Sequence, residues 1–493
     1  MSDKPVVSAR PTLRRVPSQR KPETAHGRAR RPSNLMQPSP LAADSLAHRL
    51  YWATPLVAQI QQGVALDVVL ADPRCQSLTP ATRATLQDFC YGVARWRGSA
   101  SFLLQQLCAR PPQEPIASLL LLALTLLLQR KYEPHTLVDQ AVQAAAHWQP
   151  GAKGLVNGVL REYGRSQADL LAAMQADLAA VFNFPPWWLR KVQKTYPTQW
   201  KSLLKSAQDH PPLTLRVNTQ RQPVAAYLAK LNQAGIEAQQ VGPQAIVLSQ
   251  ALPVSQIPGF SDGLVSVQDA GAQLAAPLLA VQPGQRVLDA CAAPGGKSGH
   301  ILELVDCALT ALDIDASRLR RVEENLQRLQ LTSAMPPRVV LGDAGQAATW
   351  WDGVPFDRIL ADVPCSASGI VRRQPDIRWR RRAGDLRQLQ AQQLALLQAL
   401  WPLLAAGGKL LYATCSLFPD EGETVIAHFL QAEPTAARDA LQVPTAQGAA
   451  LVPAATSGTG GLQVLPNQPL AWPGYGEVTT HDGFFYALLH KAV

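Results

Sequence analysis

The chain has 493 residues, enough for several domains and a large core. Its 47% hydrophobic and 17% charged residues describe a globular protein, with 40 prolines marking loop-rich stretches. Seven cysteines without CxxC pairs or clustered histidines argue against a disulfide framework and a zinc site, and Ile116 to Leu128 falls short of the roughly 20 apolar residues of a membrane-spanning helix.

The formal charge of +10 is concentrated at the start. The first forty residues hold nine Lys or Arg against only Asp3 and Glu23, interrupted by Pro5, Pro11, Pro17, Pro22, Pro32, Pro38 and Pro40. With so few apolar residues this tail, residues 1–40, is expected to be disordered. It reads either as an arm for phosphates or as a solvated tail without a fixed role. A mitochondrial presequence is disfavoured by the prolines, and no apolar signal segment opens the chain, so a cytoplasmic protein is expected.

From Leu41 to about Arg165 apolar residues recur at helical spacing, as in Leu86, Phe89, Cys90, Val93 and Trp96. Prolines and glycines fall between the periodic stretches, at Pro111-Pro112, Pro134 and Pro150-Gly151, which predicts an all-α bundle of six or seven helices over residues 41–165. Residues 166–265 change texture. They open with Phe184-Pro185-Pro186-Trp187-Trp188 beside Arg190 and Lys191, then give a strand over Pro212–Asn218, a helix over Val224–Ala234 and a strand over Ala245–Leu248. A small α+β module fits. Aromatics beside basic residues can stack on bases, but paired tryptophans after Pro-Pro read better as a packed domain junction.

From 266 to 493 strands and helices alternate as a parallel α/β sheet requires. Strands are expected at Arg286–Cys291, Leu309–Asp313, Arg338–Gly342, Phe356–Asp362 and Lys409–Thr414. Helices are expected at Ser317–Leu331 and Asp385–Leu404, and a final, antiparallel strand at Gly483–Leu489.

The first of these strands runs into Cys291-Ala292-Ala293-Pro294-Gly295-Gly296-Lys297, a turn of small residues that feeds a helix. A P-loop needs glycine where Cys291 stands, and the GxGxxG of a dinucleotide fold is missing, which disfavours ATP and NAD. S-adenosylmethionine remains, its amino-acid end against the loop. Asp313, at the end of the second strand, is placed for the ribose hydroxyls, and Asp343, after the third, for the adenine amine. A helix cap is the bland alternative for Asp313, yet Asp315 or Ser317 would cap the next helix more naturally.

Two cysteines follow the fourth and fifth strands: Cys365 in Asp362-Val363-Pro364-Cys365-Ser366 and Cys415 in Thr414-Cys415-Ser416. Taken with Asp289-Ala290-Cys291-Ala292-Ala293-Pro294-Gly295-Gly296-Lys297, these motifs resemble the RNA 5-methylcytosine methyltransferases. Within them the chain is similar to the RsmB/Sun enzymes of small-subunit ribosomal RNA, whose helical domain resembles the NusB antitermination factor. The similarity covers Leu41 to the C-terminus, with Val363 standing where alanine is usual.

The resemblance implies an N-terminal all-α NusB-like RNA-binding bundle, a small α+β RNA-binding or linker module and a C-terminal α/β Rossmann-like class I methyltransferase. It implies transfer of a methyl group from S-adenosylmethionine to carbon 5 of a cytosine in 16S ribosomal RNA, cytosine 967 in that family. Cys415 is then the nucleophile at carbon 6 and Cys365 the group that assists release. Asp362 would hydrogen-bond the cytosine at N3 and N4 and also adjoin the cofactor. Lys297 would touch the substrate or lower a thiol pKa through its charge. Cys75, Cys90, Cys108 and Cys307 are assigned to packing.

Arg372, Arg373, Arg378, Arg380 and Arg381 surround Trp379 just after Cys365 and are expected to grip the RNA backbone. No metal and no membrane partner are expected, and the protein is expected to be a monomer. The alternatives are a tRNA cytosine-5 methyltransferase and a noncatalytic RNA-binding ribosome assembly factor.

Overall fold

The structure, a computed structural model, describes residues 41–493 except 44, 332, 446–447, 452–459, 473 and 479. The tail expected over residues 1–40 lies outside the described residues.

Among the described residues the N-terminal part is helical: α1 (Leu46–Gln61), α2 (Leu66–Leu70), α3 (Pro73–Gln76), α4 (Pro80–Leu107), α5 (Ile116–Leu128), α6 (Pro134–Trp148) and α7 (Lys153–Arg165). Their starts are chemically marked. Ser45 accepts from His48 N at the head of α1, and Thr79 accepts from Thr82 N one residue before Pro80 opens α4. Helix α5 is apolar on every side because it is the bundle's centre, with Ile116 and Leu119–Leu127 all buried.

Helices α8 (Gln167–Met174), α9 (Leu178–Phe182), α10 (Pro186–Thr195) and α11 (Trp200–Ser206) lead to a four-stranded sheet. Its strands are β1 (Leu213–Val217), β2 (Ala238–Gln240), β3 (Ala245–Leu248) and β4 (Val265–Val267), in the antiparallel order β2-β3-β1-β4. Helix α12 (Val224–Gln233) buries Val224, Tyr227 and Leu231 against the core that the sheet residues Leu215, Val217, Ile246, Leu248 and Val265 form.

Helix α13 (Ala275–Leu279) precedes the large sheet, which has β5 (Arg286–Asp289), β6 (Ala308–Asp313), β7 (Arg338–Leu341), β8 (Phe356–Asp362) and β9 (Leu404–Thr414) as a parallel set. The crossovers carry α14 (Gly296–Leu304), α15 (Ala316–Leu329), α16 (Ile377–Arg380) and α17 (Asp385–Leu400). After β9 come α18 (Glu423–Ala432), β10 (Ala436–Asp439), the hairpin β11 (Gln442–Thr445) and β12 (Gly448–Leu451), β13 (Leu462–Val464), the hairpin β14 (Leu470–Trp472) and β15 (Gly476–Val478), and β16 (Phe484–Lys491). The order is β10-β16-β9-β8-β5-β6-β7, with β13 also pairing β16, and β16 runs antiparallel to β9 as the sequence predicts.

The chain goes from β5 outward through β6 and β7, then returns to place β8 on the other side of β5. The crevice at the carboxyl ends of β5 and β8 is therefore a topological switch point, where open α/β sheets bind ligands. The strand bounds differ from those read in the sequence by a residue or two, except that β9 begins at Leu404 rather than Lys409. Gly407, at φ +69, lets that strand start across a turn-prone Ala-Gly-Gly stretch.

The Arg372–Arg381 segment is where the structure departs from the sequence reading. Arg378 is fully buried. It donates to the carbonyls of Asn183 (3.2 Å), Ala207 (3.0 Å) and Val371 (3.3 Å), with its guanidinium 4.2 Å from the Phe184 ring centroid. Arg372 is buried against Thr480 and Asp482, and Arg373 bridges Asp269 and Asp482. Arg380 pairs with Asp376 at 3.2 Å, and Arg381 donates to the carbonyls of Cys365 (2.8 Å) and Ser366 (3.1 Å). Trp379 Nε1 reaches the carbonyl of Ala94 in α4 at 2.7 Å. The run is a joint between the helical bundle, the α9–α11 helices and the large sheet, so these arginines are spent on internal carbonyls and carboxylates; only Arg380, the most exposed of them, keeps much of its side chain in solvent.

Trp187 and Trp188 likewise form a packed junction. Trp188 is buried, and its ring stands edge-on to Phe418 with centroids 5.3 Å apart. Tyr196 donates its hydroxyl to the carbonyl of Leu417 at 2.6 Å, and Lys191 pairs with Asp420 at 2.5 Å. Helix α10 thus braces the loop that follows Cys415.

Candidate active site

Each candidate residue lies at or just beyond the carboxyl end of a strand of the large sheet: the loop after β5, Asp313 ending β6, Asp343 after β7, Asp362 and Cys365 from β8, and Cys415 after β9. Parallel pairing sets their spacing, since Asp289 is level with Leu360, and Asp362 with Ala413.

The loop after β5 is held from several sides. Ala292 N donates to Leu312 O (2.9 Å), Gly295 N to Ala292 O (2.7 Å), Arg318 to Ala293 O (2.8 Å) and Asn325 to Pro294 O (2.9 Å). Gly295 sits at φ +92, and a Cβ there would come within 3.1 Å of Val322 Cα. That glycine is required both by its backbone conformation and by the approach of α15. Asp315 caps α15 by accepting from Ser317 N (2.8 Å) and Arg318 N (3.1 Å), which leaves Asp313 for another task. Asp313 is buried and accepts from Ala293 N at 3.0 Å, tying the second strand end to the loop. Asp343 accepts from Gly345 N (2.8 Å) and from the Gln346 amide (3.0 Å).

The residues present suit a cofactor with a cationic amino-acid end. Asp289, not singled out in the sequence, is buried at the end of β5; Ser298 donates to its Oδ2 at 2.6 Å while its Oδ1 has no partner among the described residues. Burial pushes this carboxyl up to about 7. A buried acceptor without a donor is what an ammonium entering the crevice would complete. Cys291 flanks the loop, and burial pushes its thiol far above the ordinary range, so it is inert as a nucleophile.

Cys365 and Cys415 come together. Their sulfurs are 3.3 Å apart, although fifty residues separate them in the chain. Lys297, at the start of α14, pairs with Asp362 beside them. Burial works against the Lys297 ammonium, but the Asp362 carboxylate outweighs it and holds the lysine pKa above its usual value.

The sequence reading let Lys297 lower a thiol pKa, and the balance at Cys415 is the reverse. The hydrogen bond to Cys365, burial and the Asp362 charge all push the Cys415 thiol well up, and the opposing pull of Lys297 is smaller. At rest the thiol keeps its proton. Beneath the pair lie two residues that the sequence reading did not pick out, Glu421 and Gln393, both fully buried.

A parallel sheet wound in both directions, with a small-residue loop and acidic strand ends at its switch point, defines a methyltransferase domain. Comparison with known proteins agrees: residues 276–490 match the 16S rRNA methyltransferase RsmB/F family, residues 184–255 its ferredoxin-like domain, and residues 51–165 the NusB family. The ribosomal RNA small subunit methyltransferase B of Pseudomonas putida is 43% identical over 418 residues, covering 83% of this chain and 90% of that one. That of Citrobacter koseri is 40% identical over 439 residues, covering 88% and 96%. The chain belongs to the 16S rRNA methyltransferase RsmB/F family.

Among solved structures, PH0851 superposes with a TM-score of 0.69 at 22% identity, over 90% of this chain and 99% of that one. NSun6 from Pyrococcus horikoshii gives 0.54 at 18% identity, over 63% and 99%. The first of these likenesses takes in most of the chain, the second under two thirds of it. Among the described residues, no helix is long and apolar enough to cross a membrane.

Proposed function

We propose that the chain methylates carbon 5 of a cytosine in 16S ribosomal RNA, the cytosine numbered 967 in the family it resembles, through a covalent adduct between Cys415 and carbon 6. The observation that carries this reading is the 3.3 Å approach of the two sulfurs beside the Lys297–Asp362 pair. The curated relatives are ribosomal RNA small subunit methyltransferases, which favours that RNA as substrate. The helical domain, 41–165, and the module over 166–265 would supply RNA-binding surface ahead of the methyltransferase domain, 266–493.

S-adenosylmethionine, when bound, supplies an electrophilic methyl group. The loop from Cys291 to Lys297 would hold its amino-acid end with Asp289, Asp313 would take the ribose hydroxyls and Asp343 the adenine amine. The chain's own chemistry is at the thiols. Cys415 gives its proton to solvent water and its sulfur bonds to carbon 6, and the electron pair of the 5,6 double bond makes carbon 5 nucleophilic. Asp362 accepts from the cytosine N4 amine and selects cytosine over uracil. After methylation, Cys365, directly or through a water, takes the proton from carbon 5. The electrons of that C–H bond restore the double bond as the S–C6 bond breaks, and Cys415 is regenerated. The base must leave its stack to reach the crevice.

The test is 5-methylcytosine mapping at single-nucleotide resolution on unmodified 16S ribosomal RNA treated with the protein and S-adenosylmethionine. One new mark, lost with Cys415→Ala, and a denaturant-stable RNA adduct with Cys365→Ala are expected. A mark on tRNA alone would overturn the substrate assignment, and an adduct formed by Cys415→Ala would reverse the roles of the two thiols.

A further inference from the structure

We infer that Glu421 is a positioning residue that holds the two thiols at reacting distance by tying together the loops that carry them, an inference that rests on the two-thiol reading above. Glu421 ends the short turn Pro419–Glu421 between β9 and α18 and is 0% exposed. One carboxylate oxygen accepts from the backbone N–H of Ser366 at 2.7 Å, and the other accepts from the hydroxyl of Ser416 at 2.6 Å. Ser366 and Ser416 are the residues immediately after Cys365 and Cys415, so a single carboxylate grips both loops one residue from each sulfur.

The tie is reinforced on the far side of Cys365. Gln393 of α17 donates its amide to the carbonyl of Pro364 at 2.9 Å and to Glu421 Oε1 at 3.2 Å. The residues before and after Cys365 therefore hang on the same buried pair. Ser416 Oγ also accepts from Phe418 N at 3.1 Å and lies 3.1 Å from Ser368 Oγ, while Gly369 N donates to the carbonyl of Cys415 itself at 2.8 Å. Tyr412 of β9 donates its hydroxyl to the carbonyl of Glu421 at 2.8 Å and anchors the turn to the strand that delivers Cys415.

A carboxylate taken fully out of water is tolerated only where donors surround it, and an apolar side chain would fill the same space at less desolvation penalty. Here the donors to the side chain are neutral and belong to the cysteine loops and to the helix behind them. What the charge gains is strength and direction in the hydrogen bonds that set the loop spacing. Glu421 touches neither sulfur, so its effect is exerted through Ser366 and Ser416.

Diamide oxidation of the full-length protein reads the spacing without RNA. The two thiols give up two electrons and two protons to diamide, which becomes the hydrazine, and a Cys365–Cys415 disulfide forms, measured by peptide mass. Glu421→Ala is expected to slow this closure by about ten-fold or more, and Glu421→Gln, which keeps the shape and one acceptor, to stay within about three-fold of the parent. In methylation assays Glu421→Ala should lower kcat by about 100-fold with the KM for S-adenosylmethionine within about two-fold, and Glu421→Gln should rescue most of it.

An unchanged rate of disulfide closure in folded Glu421→Ala overturns the inference. If the parent protein methylates no RNA, slower closure in Glu421→Ala still supports the tie while removing the two-thiol reaction. If Glu421→Ala does not fold, Ser416→Ala, which cuts one end of the tie, decides in its place: closure several-fold slower supports the inference, and closure at the parent rate overturns it.

Discussion

Arg216 and Glu303 meet with both side chains fully buried, through two hydrogen bonds of 2.7 Å. Arg216 comes from β1 of the small sheet and Glu303 from α14, whose first residue, Gly296, also takes a hydrogen bond from Arg216 at 2.6 Å. The small module therefore braces the helix that the loop after β5 feeds. Removing one partner strands the other charge in the interior. Arg216→Ala should lose about 3–5 kcal/mol of stability in urea unfolding, and Arg216→Met with Glu303→Leu should lie closer to the parent than either single change.

The hydrogen bond that the Cys415 thiol makes to Cys365 is the largest of the influences that raise it. Cys365→Ala removes it, and the Cys415 thiolate should then appear at lower pH. Iodoacetamide labelling of Cys415 followed against pH should show its rise shifted toward neutrality in the variant. A profile displaced to higher pH would contradict this account of the pair.

Asp289 ties protonation to stability. Its folded carboxyl is raised to about 7, whereas an unfolded one titrates near 4, so between these values the folded state holds a proton that the unfolded state has lost. Its contribution is fully present below about pH 4 and falls as pH rises to about 7, with a slope of up to about 1.4 kcal/mol per pH unit. Asp482, raised to about 6, acts in the same direction, and buried His300, held well below its usual value by burial and by Arg216, acts in the opposite one. The difference between the parent and Asp289→Asn isolates the term. The advantage of Asn over Asp should grow from pH 4 to pH 7 and then level off.

Arg378 separates the two readings of the arginine run. As a fully buried residue serving three carbonyls, its replacement by Met should lower stability by about 2–4 kcal/mol. The slope of RNA affinity against salt should stay where it was, since that slope counts phosphate contacts. A slope reduced by about one unit in folded Arg378→Met would return this residue to the RNA interface.

The order of strands and helices was legible because a parallel sheet covered on both faces writes each strand as a short apolar run ending in a turn. Ile116–Leu128, interrupted only by Ser118 and Thr125, was legible as too short to span a membrane, and its nearly continuous apolar run fits the fully buried helix it forms. The arginine run misled because its partners are remote: Asp269 and Asp482 stand 104 and 109 residues from Arg373, and the carbonyls it serves leave no trace in side-chain composition. Trp187-Trp188, by contrast, declared a packed junction through its own bulk. The meeting of Cys365 and Cys415 was legible only through resemblance, since no local pattern reports which strands become neighbours. Glu421 was invisible as an acidic residue in an ordinary Pro-Asp-Glu turn.

The pairing of β8 with β9, which sets Asp362 level with Ala413, brings the two cysteine loops side by side, and the Glu421 tie then sets their spacing. The forty-nine residues of chain between the two cysteines only have to return to the sheet. Lengthening or shortening the surface of that crossover should leave the reactive pair intact, provided that Gln393 and Arg381 keep their places. A single residue added inside either strand would instead turn one thiol to the opposite face of the sheet. Tolerance to insertion therefore changes abruptly at the strand ends, and the chemistry is inherited from alignment of backbones more than from contour length along the chain.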